Sequence, residues 1–236
     1  MKDYSENAYR AQRKWRFPPL TPCVKGMLIA IGAGFLMSFF AAQYSEGDAR
    51  RYFVMQPALF WGSGWYWLPL TAVFVYFNIG NAIMNATVLF IEGYRLESVL
   101  GPVKFLGFFI GNGVLGNLLF AFLASSSHAG MEGISAGNAA LLGCAMVLSR
   151  GSEYRFWGLA PVKAWIIQGI LLVILIWNAC QYIGTLWSAV SLLVPFILGV
   201  LMIRRIRRNM YGKSKRRKSQ TAGGTASRFE NLEFPT

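Results

Sequence analysis

Charge is scarce in this chain: 14% of its 236 residues are Asp, Glu, Lys or Arg, against roughly 25% in a soluble domain. Together with 55% hydrophobic and 15% aromatic residues, that shortage excludes a water-soluble globular protein. Cysteine is sparse too. Cys23, Cys144 and Cys180 are odd in number and widely spaced, and two of them sit in apolar runs, so they define neither a disulfide framework nor a zinc site and leave the redox compartment open. Histidine occurs once, as His128. Neither a cofactor nor a metal site is expected. The net charge of +13 would suit nucleic acid, but 16 of the 23 Lys and Arg lie in residues 1–25 or after Ile203, so the middle of the chain is close to neutral and no nucleic-acid partner is expected.

What is present is long apolar segments. A spanning helix needs ~20 apolar residues to cross ~30 Å of hydrocarbon, and six candidates fall at residues 26–42, 72–93, 103–124, 134–149, 162–180 and 183–203. They predict an all-α polytopic membrane protein with a basic tail at 1–25, a six-helix membrane domain at 26–203 and a second basic tail at 204–236. Beyond Gln220 the composition turns to Gly, Ser, Thr and Asn, which predicts disorder. The spans hold no Asp or Lys in their central portions, which argues against a proton-coupled transporter. Lys and Arg near span ends stay on the cytoplasmic side. Of the 23, 21 fall in the two tails and the second and fourth loops, leaving Arg50 and Arg51 elsewhere. Both termini are therefore expected to be cytoplasmic, in a bacterial inner membrane or, alternatively, an organellar inner membrane. The cluster from Arg204 to Lys218 reads as an anchor on anionic membrane lipid.

The first loop, 43–71, is rich in Trp, Tyr and Phe but interrupted by Pro57, Gly62 and Gly64, so it is expected to lie in the outer interface rather than to span. The fourth candidate is too short. Its 16 residues rise only ~24 Å, and Arg150 pins the cytoplasmic end, so the outer end must begin below the surface. Irregular backbone at that depth is tolerated where protein covers it or water reaches it. An outward cavity ending at Ser135 is the expectation, with the helix start favouring an oxyanion there. Asn81 and Asn85 share one helix face at i, i+4. The small residues of the third and fourth spans, among them Gly107, Gly111, Gly116, Gly137 and Gly143, predict close helix packing.

These residues resemble the rhomboid family of intramembrane serine proteases over residues 18–204. The resemblance is carried by Pro18-Pro19, Trp67-Leu68-Pro69-Leu70-Thr71, Asn81-x-x-x-Asn85, Leu96-Glu97 with Leu100-Gly101, Gly133-Ile134-Ser135-Ala136-Gly137 and Pro161-Val162-Lys163-Ala164-Trp165. It implies a rhomboid-like six-helix bundle, Ser135 at the nucleophile position and Asn81 and Asn85 at oxyanion positions. It also implies a histidine base on the sixth span, and there is none. In the preferred frame Ser188 takes that place, and frames that put Gln181 or Leu192 there fare no better. Leu68 replaces an arginine of the family pattern and Ala136 a glycine. A serine without an adjacent base is a weak nucleophile, so the chain reads as a pseudoprotease that binds a transmembrane segment of a client or partner subunit between the second and fifth spans. The alternative is an active intramembrane serine endopeptidase with His128 or water as proton acceptor. A structural subunit of a membrane assembly is a third reading, a channel or transporter the last, and the oligomeric state stays open.

Overall fold

Helix α1 (Pro22–Tyr44) buries only a narrow stripe, Val24, Met27, Ile31, Gly34 and Ser38, at alternating spacings of three and four. The rest of its surface is as apolar as the stripe: Ile29, Leu36 and Phe40 are exposed. A helix hydrophobic all round suits a lipid environment rather than water. The computed structural model describes residues 20–44, 49–125, 128–149, 151, 153–154, 162–183 and 186–230.

After α1 come three short helices, α2 (Ala49–Phe53), α3 (Pro57–Gly62) and α4 (Leu68–Thr71), and a 3-10 turn at Ala72–Phe74. Pro57 starts α3 and Pro69 lies in the first turn of α4, where a missing N–H costs nothing. The aromatic side chains of this loop lie on one another and on the bundle: Tyr52 stacks on Trp65 and Trp65 on Trp67. Trp61 donates its indole N–H to the Ala121 carbonyl at 2.9 Å.

The second span starts later than the sequence predicts. Instead of running 72–93, the chain breaks at residues 75–78, and helix α5 occupies Ile79–Leu100, bent by 82° from the preceding Leu68–Phe74 segment. The reason is a cap: the Asn78 side chain accepts from the Asn81 N–H at 3.0 Å, so the helix begins after Asn78. The broken segment keeps its backbone satisfied. Tyr76 N–H donates to Ser38 Oγ at 3.2 Å, and Phe77 N–H to Glu132 Oε1 at 3.0 Å. Gly34 lets this segment approach α1, because a Cβ there would collide with the Phe74 carbonyl.

Gly101, at φ +78°, and Pro102 turn the chain into α6 (Pro102–Leu123). Helix α7 (Ser135–Leu148) is central and buried along nearly its whole length. An antiparallel pair of two-residue strands, β1 (Glu153–Tyr154) and β2 (Val162–Lys163), precedes α8 (Ala164–Ile183), so the helix begins after Lys163 where the sequence predicts a span from 162. Helix α9 starts at Leu186 and continues to Glu230, through the region whose composition suggested disorder. Past Pro195 the next proline is Pro235, and residues 204–218 are mostly Arg and Lys, good helix formers, so the helix runs on through Gly212, Gly223 and Gly224.

Helices α7 and α9 meet backbone to backbone. A Cβ on Gly143 would strike the Phe196 carbonyl, and one on Gly199 the Ala140 carbonyl. Gly116 of α6 lies equally close to Ala136. The third-span glycines do not all pack, however: nothing lies within 4 Å of a Cβ placed on Gly107 or Gly111, because they face away from the bundle. By length and hydropathy, α1, α6 and α9 as far as Arg208 can each cross a membrane, and the bent pair 68–100 makes a fourth. Helix α7 and the apolar stretch Ala164–Cys180 of α8 are shorter.

Candidate active site

Ser135 is the first residue of α7, and the strand of backbone that delivers it is held from three sides. Gly133 adopts φ +79°, open to glycine alone at little cost, and a Cβ there would meet the Tyr76 ring at 2.6 Å. Its N–H donates to the Ala72 carbonyl at 2.7 Å, and the next N–H, of Ile134, to the Tyr76 hydroxyl at 3.2 Å. The broken segment before α5 thus fixes where the serine helix begins. Ser135 itself is buried, 6% exposed.

The hydroxyl of Ser135 accepts a hydrogen bond from Asn85 Nδ2 at 3.1 Å. The same nitrogen reaches Asn81 Oδ1 at 2.7 Å and the Asn81 carbonyl at 2.8 Å. That backbone carbonyl can only accept, which fixes the Asn85 amide with its NH2 group toward Ser135. On the other side Asn85 Oδ1 accepts from Asn138 Nδ2 at 2.8 Å, and Asn138 Nδ2 also reaches the Asn85 carbonyl at 3.0 Å. Asn81 completes the chain by donating to the Glu132 carbonyl at 3.4 Å. Three buried amides therefore form one directed network, and its end at Ser135 is a donor. Such an arrangement can stabilise negative charge beside the helix start. It cannot take the proton from the serine.

The other sequence candidates lie elsewhere. Ser188 is buried on α9, and its carbonyl accepts from Ser191 Oγ at 2.8 Å. Ser191 also points at Met131 Sδ, 3.7 Å away. Neither hydroxyl is a base at neutral pH. His128 is exposed in the loop before Met131 and makes no hydrogen bond among the described residues. Leu68, at the position of the family's arginine, is fully buried.

Sequence reasoning did not single out Asn138, Tyr76, Glu132 or Asn78. Asn138 carried a readable signal, being an amide one turn after Ser135 in an otherwise apolar helix. Glu132 was visible only as a loop residue. In the fold its carboxylate accepts from Phe77 N–H and lies 3.4 Å from Arg50. Burial raises its pKa above the usual carboxylate range, against the opposing pull of Arg50 and the Phe77 amide. Among the described residues no three His, Cys, Asp or Glu side chains converge as a metal would require.

A helical chain with several apolar helices of spanning length is an integral membrane protein of the all-α class. Within that class it belongs to the rhomboid family: a model of the rhomboid domain matches residues 63–209, which contain α4 to α8, most of the apolar part of α9 and every candidate residue above. No curated protein matches the chain.

Proposed function

We propose that the chain is a rhomboid-like pseudoprotease whose α1, α5, α6, α7, α8 and α9 all cross the membrane, and that it binds a transmembrane segment of a client or partner subunit. The observation that carries this reading is the direction of the Asn138–Asn85–Ser135 network. The hydroxyl of Ser135 receives a hydrogen bond from Asn85 Nδ2 and, among the described residues, has no acceptor for its own proton. Without such an acceptor a serine at neutral pH stays un-ionised and weakly nucleophilic.

The gap between α5 and α8 is the place for a guest helix. The two helices are tied near the Leu100 end of α5, where Gln168 Nε2 donates to Glu92 Oε1 at 2.9 Å. Toward the other end Ile79 and Ile83 of α5 and Trp177 of α8 are exposed apolar side chains, a surface that another apolar helix can cover. The excess of Lys and Arg in the tails supports cytoplasmic termini in a bacterial inner membrane. A fusion of alkaline phosphatase after Thr236 should then be inactive, and an active one overturns the orientation.

The second reading, an active endopeptidase, draws on the same network seen as an oxyanion site. Asn81, Asn85 and the Ser135 N–H would stabilise the intermediate, with His128 or a water as base. A fluorophosphonate probe separates the two, because it captures a serine only where its surroundings activate it. Wild-type protein and Ser135→Ala are expected to label equally weakly beside an active rhomboid control. Labelling that disappears in Ser135→Ala overturns the pseudoprotease reading.

A further inference from the structure

A positive charge is held in place where α5 and α7 begin. Arg50, on the short helix α2, has its guanidinium 5.6 Å from the centre of the Phe77 ring, two residues before α5. Its Nη2 lies 3.4 Å from Glu132 Oε2, three residues before α7. These two contacts fix the head of a long, flexible side chain. Of the five guanidinium N–H groups, those not on Glu132 have no partner among the described residues. The Arg50 side chain is 52% exposed, against 7% for Glu132.

The charge is only partly neutralised. Glu132 Oε1 is already taken by the Phe77 N–H at 3.0 Å, and burial makes this carboxyl hold its proton more tightly than usual, so it offsets Arg50 incompletely. The N-terminal end of α5 adds positive potential at the same level. In the orientation proposed above, 21 of the 23 Lys and Arg lie in the tails and inner loops, and Arg50 and Arg51 are the two left outside. Inward from Phe77 along α5, Ile79 and Ile83 are exposed.

We propose, on the reading that a client or partner helix docks between α5 and α8, that this surface selects a segment with Asp or Glu at its outer flank, and that Arg50 makes the selection. The apolar part of such a helix covers Ile79 and Ile83, and its flanking carboxylate meets the free edge of the guanidinium. A basic outer flank is repelled. A lipid phosphate can meet any arginine at the interface, but the contacts with Phe77 and Glu132 place this one where a helix lying on α5 would end.

The test is photo-crosslinking in a bacterial membrane, from a photoreactive residue at position 83 of the full chain. The probes are single-span reporters with one apolar helix and a Lys-Lys inner flank, differing only in an outer Asp-Asp, Asn-Asn or Lys-Lys. Capture of the Asp-Asp reporter is expected to exceed that of Asn-Asn about two- to fivefold, the range of an exposed ion pair, with Lys-Lys lowest. Each Arg50 variant also carries Glu132→Gln, so that no carboxylate stays buried without its partner. In that background Arg50→Gln should make the three reporters equal and Arg50→Glu should reverse their order, while Glu132→Gln alone should keep it. Thermal midpoints show whether each variant is folded, and the reversal is a gain that unfolding cannot mimic. Equal capture of the three reporters by the wild type, or an order unchanged in both Arg50 variants, overturns the selection and leaves helix binding intact. Equal capture with a phospholipid retained by the wild type in native mass spectra, and lost with Arg50→Gln, gives the arginine to a lipid phosphate instead. Capture no greater than from position 29, exposed on α1, overturns the helix-binding reading and this inference with it.

Discussion

Asn85 has two amide hydrogens and three acceptors within reach, Ser135 Oγ, Asn81 Oδ1 and the Asn81 carbonyl, while its own Oδ1 receives Asn138. Removing it strands several buried polar groups at once, and each such loss costs ~1–3 kcal/mol. Asn85→Ala is therefore expected to lower the thermal midpoint in detergent clearly, by roughly 2 kcal/mol of stability, whereas Ser135→Ala, which removes the end of the network, should change it by less than about 1 kcal/mol. Equal losses at the two positions count against the network as drawn. The sequence could place Asn81 and Asn85 on one face, and Ser135 at a helix start, because both follow from local spacing. It could not supply Asn138 as the third amide, since that pairing joins residues 53 positions apart.

At the scale of elements, helix contact is set by which glycines face another backbone. Gly199 and Gly143 hold α9 against α7, and any Cβ there meets a carbonyl that cannot move without moving its helix. Gly199→Ala is expected to destabilise by about 1–3 kcal/mol, as overpacking does, while Gly107→Ala should be neutral or slightly stabilising through helix propensity. Thermal denaturation of the two variants decides it, and similar losses contradict the packing. Periodicity gave no means of telling these glycines apart. The end of α5 shows a similar limit: Glu97 reaches across to α1, accepting from Val24 N–H at 3.1 Å and Cys23 N–H at 3.3 Å. A carboxylate at a helix start is favoured by the helix dipole, but only the fold says which helix.

Across the whole molecule, Glu132 connects the loop before Ser135 to Arg50 of α2 and to the break before α5. Its pKa is raised in the folded protein. The folded state thus binds this proton more tightly than the unfolded chain, so the contribution to stability is complete in acid and is lost as pH rises through the folded value. Glu132→Gln removes that titration. As pH rises above about 4, the wild type should lose stability relative to the variant, measured as the difference in thermal midpoint at each pH. A difference that stays constant across the range contradicts the assignment.

The sequence alone determined that the chain is an all-α membrane protein of the rhomboid family, because apolar length, small-residue spacing and the Gly133–Gly137 segment are local and survive without the fold. The same local reading placed Ser135 at a helix start and noted that no histidine follows His128. Only the tertiary structure decided that the chain breaks at residues 75–78, that Asn85 accepts from Asn138 and turns its own amide hydrogens toward Ser135 and Asn81, and that Gly107 and Gly111 are left uncovered. These depend on partners far apart in sequence. In a membrane, where water cannot satisfy a buried polar group, the direction of each hydrogen bond is set by whichever distant side chain or backbone carbonyl the packing brings within reach.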